Sequence, residues 1–482
     1  MPFRLLIACT QHIAIEPEPT LPAGTEIPAC PEFSGGTEGI RDLCLTENPN
    51  STLSFTLSWT TDEPATSTVE FGSYPTPVWR LDQPESVHTH SVTVYGMRAN
   101  TDISLNVLSV TASGHTLAAR DLLAHTGELP FGIPVGIMGV VDPYKKQPGW
   151  TLLNINQREA NWPPSAVIMD EMGQPVWYAI TATAVDERGD LDVSLTPDGT
   201  ILIGGSGPSI RPVELNLAGN VVWNGPPQDA PQQHHHFQRE PDGTTVMLRH
   251  AFDDAFPAVV LDRIVQIDDD YNVVWEWNGF DHIDFPLDAT DDYTHGNSVT
   301  MTDDAVYYNS RNLHTLFKIS RHTGDILWEL GEDLDFAPDP DHATPWFAHQ
   351  HAPELQDDGS WLIHDNDGIA SHSRVIQMVI DEDAMTSEII WEFPGDFSVA
   401  PWYTDTWHSG IWGDADRLEN GNVLITAAMR EFDTQSRIFE VTPDGEVVWE
   451  ILLPAVDDSL FVVGSYRADR IVPPGLIAIE SD

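Results

Sequence analysis

The stretch Pro443-Asp444-Gly445-Glu446-Val447-Val448-Trp449 is a tight polar turn, then apolar residues, then tryptophan. Asp-Gly supplies the turn, and a β-branched pair beside Trp suits a half-buried strand. The same pattern ends at Trp177 (EMGQPVW), Trp223 (LAGNVVW), Trp275 (DDYNVVW), Trp328 (HTGDILW) and Trp391 (MTSEIIW), at intervals of 46 to 63 residues. A second pattern alternates with it: turn residues, then a short apolar strand. It reads TPDGTILIGG from Thr196, EPDGTTVMLRH from Glu240, TDDAVYYNSR from Thr302, QDDGSWLIHDN from Gln356 and ENGNVLITAA from Glu419. GWTLLNIN, beginning at Gly149, is a degenerate sixth copy. Two hairpins in each repeat of about 40–60 residues give the period of a four-stranded propeller blade. The reading is all-β, with a six-bladed β-propeller over residues 131–482. The tail SYRADRIV, beginning at Ser465, is expected to close the ring or cap its underside.

Ahead of the repeats, residues 46–130 carry short alternating strands separated by turns, the pattern of a small β-sandwich. SWTTDEPATSTVEFG (58–72) and VYGMRANTDISLNV (94–107) resemble a fibronectin type III domain. No chemistry is evident there, and a spacer or scaffold is expected.

Residues 1–45 form an export-type segment and a Pro/Gly/Thr-rich linker. Arg4 precedes Leu5-Leu6-Ile7-Ala8-Cys9, which resembles a bacterial lipoprotein cleavage site. The apolar stretch is shorter than a usual signal peptide. A lipid on Cys9 and a chance cysteine both remain open. Cys30 and Cys44 lie 14 residues apart, a spacing that allows a disulfide-closed loop and fits an exported, periplasmic or cell-surface protein. Idle cytosolic cysteines are the alternative.

The chain has 482 residues, with 22 Lys+Arg against 75 Asp+Glu and a formal charge of −53. Such a field repels phosphate and anionic lipid, so no nucleic-acid partner is expected. Any membrane attachment would run through a lipid on Cys9. With 41% hydrophobic residues and 16 Trp, the chain is no acidic disordered tail. Lys145, Lys146 and Lys318 are its three lysines. No apolar run reaches membrane-spanning length.

The histidines fall in register with the repeats. The strand before each Asp-Gly or Asn-Gly turn would be the innermost of its blade. His234, His235 and His236 precede Asp242-Gly243, and His295 precedes Asp303-Asp304. His349 and His351 precede Asp358-Gly359, and His408 precedes Asn420-Gly421. The blade ending at Trp223 carries Asp190 and Asp192 instead. Any one histidine alone would be a surface or satisfied core residue. Four equivalent positions around a ring converge on one axis, which is how a site is built. Arg311 and Arg374 join them and suggest an anionic ligand, although either could pair with a carboxylate.

Two chemistries fit such a ring. Imidazoles bind transition metals, with Asp292 or Asp365 as helpers. Alternatively, one neutral imidazole is a nucleophile and its neighbours hold a charged transferring group. A non-enzymatic binding propeller is a third reading.

THGNSV, the strand ending in Ser310-Arg311, TGDILWELG, Gln350-His351, LIHDND and LENGNVLIT follow one another in order. Together they resemble the bacterial arylsulfate sulfotransferase family, which does not use the phosphoadenosine donor. The resemblance runs from about residue 135 to the end and is strongest over Asp292–Ala427. It implies a six-bladed propeller with an N-terminal β-sandwich. It also implies transfer of a sulfuryl group from a small-molecule aryl sulfate to a phenol, in two half-reactions through a sulfohistidine. His351 matches the nucleophile, His295 and Asn297 the His-x-Asn segment, and Arg311 the arginine ending the next strand. His235 or His236 matches a histidine from an earlier blade, and His408 sits where the family brings a further polar group. Gln350, Asn297 and Arg374 are expected to bind substrate. No cofactor or metal is expected in this reading. Trp346, Phe347, Trp402, Tyr403 and Trp407 could hold aryl rings or pack the blades. The triple histidine and the acidic loop between Trp328 and His351 depart from the family pattern.

Overall fold

The structure is a computed structural model. It describes residues 37–157, 164–180, 191–205, 211–226, 233–369, 372–394, 407–428, 436–454 and 463–479. The expected features at Cys9, Cys30, Asp190, Trp402 and Tyr403 lie outside these residues. Cys44 is disulfide-bonded. The described residues are all-β apart from one short 3-10 turn, with no helix long and apolar enough to cross a membrane.

Seven sheets form: one of seven strands near the N-terminus, then six of four or five strands. In the N-terminal sheet the two expected layers are joined. One 23-residue strand, Ser51–Ser73, pairs with Ile40–Asn48, Trp79–Val94 and Asp102–Val110, so a single hydrogen-bonded network wraps a core around Trp59 and Phe71. Trp59 stacks on His90 and donates its indole N–H to Ser109. This core is continuous with that of the first two small sheets, through Trp79 edge-on to Trp150.

Each of the second to sixth small sheets is built on an antiparallel meander that runs from the strand preceding the polar turn to the tryptophan strand; the third adds a short parallel strand, Asp291–Asp292, and the sixth a further outer strand. The leading strands are Leu191–Leu195, Gln233–Arg239, Gly296–Met301, His351–Leu355 and Asp414–Arg417, and each contacts the next. The turns follow from their residues. At Asp358-Gly359, the Asp358 carboxylate accepts from Ser360 N and Oγ, while Gly359 takes a φ of +83° that a side chain would resist.

The tryptophan motif has a second use. Trp177 donates its indole N–H to Leu217 O, Trp275 to Arg321 O, Trp391 to Pro443 O and Trp449 to Glu171 O. Each acceptor lies in or beside the same turn motif of the following sheet, and Trp449 runs from the last sheet back to the first. Trp223 and Trp328 instead lie against Arg239 and Lys318.

The ends of the chain interlock the ring. Ala468–Ile471 pairs with Trp150–Leu153 and supplies the leading edge of the first small sheet. Ile137–Val141 pairs with Val447–Leu453 as the outer strand of the last. Each end of the chain thus completes a sheet begun at the other end. Ile477–Ala478 then returns to pair with Trp79 and Arg80 of the N-terminal sheet.

Trp449 is buried and spans this closure. Trp449→Ala is expected to cost about 3–5 kcal/mol, against roughly 1–2 for the part-exposed Trp275→Ala. Denaturant midpoints at constant slope measure both.

Candidate functional site

The leading strands are distorted where the histidines sit. Register shifts fall between His234 and Phe237, between Gly296 and Ser298, and between His351 and Glu354. Bulges of this kind re-aim side chains. His235, His295, His314, His349 and Trp412 all adopt φ between +47° and +61°. Left-handed backbone in non-glycine residues costs of order 1–3 kcal/mol each and gathers at functional sites.

His351 is buried. Its Nδ1 lies 2.8 Å from Asn366 Oδ1 and 3.0 Å from His349 O. Asn366 Nδ2 donates to Ser409 O and Trp412 O, which orients the amide so that its oxygen faces the imidazole. Nδ1 therefore carries the proton, and Nε2 keeps its lone pair, 3.2 Å from the Trp412 N–H. Burial first, then Arg311, His364 and His295, hold His351 well below 6.5 despite the Asn366 bond. It is neutral near pH 7.

His295 reaches Asp292 through Nδ1 at 2.5 Å, with its ring part-exposed. His235 lies 4.8 Å from it, ring to ring. The Tyr466 ring sits 6.0 Å from both His235 and His351. Burial, then His295, His234 and His351, depress His235. Its Nδ1 lies 3.0 Å from that of His234. His234 pairs through Nε2 with Asp262, 2.9 Å away, a buried carboxylate that also accepts from Thr294, Gly296 and Tyr308. Burial pushes Asp262 up, but His234 and these donors hold it well below the ordinary range.

Arg311 N donates to His295 O, and its guanidinium donates to Gly410 O and Asn312 Oδ1. Burial lowers it from its ordinary value against the pull of Asp367 and Asp292, but a guanidinium stays charged. Asp367 bridges His349 Nδ1 at 2.7 Å and His408 Nε2 at 2.6 Å. The His349 bond, then that of His408, outweighs burial and brings Asp367 down to about 2. His408 thus orients with Asp367 beside Arg311.

Three expected ligand-binding residues are scaffold in the structure. Asn297 and Gln350 bond one another through Asn309: Asn297 Nδ2 donates to Gln350 O, Asn309 Nδ2 to Asn297 Oδ1, and Gln350 Nε2 to Asn309 Oδ1. They lock adjacent leading strands. Arg374 is fully buried, and its five N–H groups go to Asp365, Glu392, Thr344 Oγ1, Thr344 O and Trp346 O. It has no donor left for substrate, because the nearby carboxylate won it. Phe347 and Trp407 are buried packing residues, and Trp346 packs against the same core as Phe347.

A second set of charges lies one to four residues further along the same strands. His236 is buried with no hydrogen bond to either ring nitrogen among the described residues. Burial and then Arg467 push it down to about 3. Arg467 lies 3.2 Å from Asp192. Burial, then neighbouring carboxylates, raises Asp416, and burial raises Asp414 and Asp469 although Arg467 pulls the other way. His236 therefore faces this charged layer, whereas His235 faces His351.

Asn366, Asp367, Trp412 and Tyr466 escaped the sequence reading. The string LIHDND held two of them, but its Asn and Asp could not be told from turn residues. Replacing Arg374 with Met strands Asp365 in the interior, so a loss of about 3–5 kcal/mol is expected. Arg311→Met should shift the midpoint by under about 1 kcal/mol.

A family model described as Arylsulfotransferase (ASST) matches residues 140–457. No curated protein matches. Among solved structures, a Bacteroides caccae protein of unknown function aligns at TM-score 0.43 and 14% identity, over 67% of this chain and 100% of that one. Hydrazine synthase of Kuenenia stuttgartiensis aligns at 0.33 and 11%, over 56% and 68%. An apocarotenoid oxygenase mutant of Synechocystis aligns at 0.31 and 8%, over 87% and 96%. Scores this low leave the assignment to the sequence match and the all-β build. Over most of its length, this chain is a member of the arylsulfotransferase family.

Proposed function

We propose that the protein moves a sulfuryl group from an aryl sulfate to a phenol through a sulfohistidine at His351. The observation that carries this reading is the fixed tautomer of His351: Nδ1 keeps its proton and donates it in a hydrogen bond to Asn366 Oδ1, and an unprotonated Nε2 is left beside His295, Arg311 and Tyr466.

In the first half-reaction, His351 Nε2 attacks sulfur in line as the bond to the aryl oxygen breaks. The electron pair leaves with the phenolate. The sulfuryl oxygens take donors from Arg311 and the Trp412 N–H, which acts like an oxyanion-hole amide once Nε2 is sulfated. His295, backed by Asp292, gives the leaving phenolate its proton. In the second half-reaction His295 takes the proton of the incoming phenol, whose oxygen attacks sulfur and releases His351. Ping-pong kinetics follow. His235 packs against His295 and holds its ring in place. The Asp367 pair with His349 and His408 anchors Arg311. His236, Asn297, Gln350 and Arg374 serve the scaffold.

The same reading makes the six small sheets the blades of a six-bladed propeller over about 131–482, and the N-terminal unit, whose sheet begins at Thr37 and not at the expected residue 46, a fibronectin type III-like domain. The bonded Cys44 supports an exported protein, since disulfides persist in oxidising compartments.

Incubation with an aryl sulfate should leave one sulfuryl adduct on His351, seen by mass spectrometry of the native protein and lost in His351→Ala. A protein that releases phenol without it would overturn the mechanism. Arg311→Ala should lower kcat by roughly 10²–10³-fold. Because the depressed pKa keeps His351 neutral, adduct formation in single turnovers should stay level as pH falls through 6.5. Loss begins only when pH reaches the lowered value, and an acid limb centred at 6.5 would sink this part of the reading.

A further inference from the structure

The charged layer beyond the histidines has an unusual donor set. Asp414 and Asp416 come from the leading strand of the sixth small sheet, and Asp469 comes from the closing strand Ala468–Ile471. One carboxylate oxygen from each lies within 4.8 Å of the others. Arg467 is the cation acting on all three, while Glu354 adds a further negative charge to each. Three acids held this close repel one another strongly, and one guanidinium shared with Asp192 does not balance them.

An independent feature points at the same spot. Thr426 stands directly across from Asp414 in the antiparallel pair, so their side chains share a sheet face. Its hydroxyl is buried, at 1% exposure, and makes no hydrogen bond among the described residues. A buried hydroxyl normally finds a partner. Asp416 Oδ2 is likewise buried without one.

We propose that Asp414, Asp416 and Asp469, with the Thr426 hydroxyl, bind a divalent calcium ion that clips the closing strand to the sixth small sheet. The donors are all oxygen, which selects a hard cation. Calcium takes oxygens at about 2.3–2.6 Å, so two ligands on one ion can stand roughly 4.8 Å apart. Magnesium at about 2.1 Å would draw them in and demand stricter geometry. The ion stands outside the transfer chemistry. Its consequence is mechanical, because the clipped strand follows closely on Tyr466, whose ring sits 6.0 Å from those of both His235 and His351.

The test uses the full-length chain, stripped with chelator and held at constant high ionic strength to screen the surface acids. Titration with CaCl2 in a calorimeter should show one saturable site per chain, with MgCl2 at least tenfold weaker, and calcium should raise Tm. Asp416→Asn should raise Tm in chelator by relieving repulsion, yet lose the calcium-dependent rise. Thr426→Val, which keeps shape and fold, should weaken binding several-fold. On the wild type, terbium should give tryptophan-sensitised luminescence that calcium displaces. Absence of saturable calcium binding, or unchanged affinity in both Asp416→Asn and Thr426→Val, would overturn the site.

Discussion

The antiparallel pairing of Ala468–Ile471 with Trp150–Leu153 is the contact on which the rest of the molecule depends. It joins residues more than 300 apart in sequence, so its loop-closure cost is met only once the intervening sheets are stacked. Two further links share the load: Trp449 reaches Glu171, and Ile137–Val141 forms the outer edge of the last sheet. Closure also delivers Tyr466 and Arg467 to the centre, where each organises a different layer of the site.

Those layers differ in how they handle buried charge. In the upper one, every important imidazole has a tautomer-setting partner: Asn366 for His351, Asp292 for His295, Asp262 for His234 and Asp367 for His349. Burial keeps His351 and His235 neutral and leaves Arg311 as the positive pole. In the lower one, carboxylates crowd around Arg467. The overall charge of −53 matters little to this division. Exposed charges are screened within about 8 Å at physiological salt, so an anionic substrate would be held by local donors.

Much of the architecture was legible in the repeats, for two physical reasons. Strand pairing within each sheet is local, and a turn, apolar residues and a tryptophan define the hairpin and, at Trp177, Trp275, Trp391 and Trp449, its bond to the following sheet. The histidine register was legible for the same reason at His235, His295 and His351, which lie in or beside the start of a leading strand, whereas His408 falls ahead of the strand Asp414–Arg417. Roles were harder to read. Arg311 and Arg374 look alike in sequence, each following a serine near a histidine, one at the end of a strand and the other at the start of one. Arg374 spends all five donors on Asp365, Glu392, Thr344 and Trp346, partners up to 30 residues away, whereas Arg311 spends two on Gly410 and Asn312. Likewise His235 and His236 are adjacent, but a bulge turns one toward His351 and the other toward Arg467.

The amino-acid sequence alone determined the all-β repeat and the family, because periodicity and local turn chemistry are written residue by residue. The tertiary structure decided which nitrogen of His351 holds the proton, which arginine keeps donors to offer, and that three aspartates from separate strands meet. Those outcomes depend on which groups reach one another across sheets once water is excluded, and no single strand carries that information.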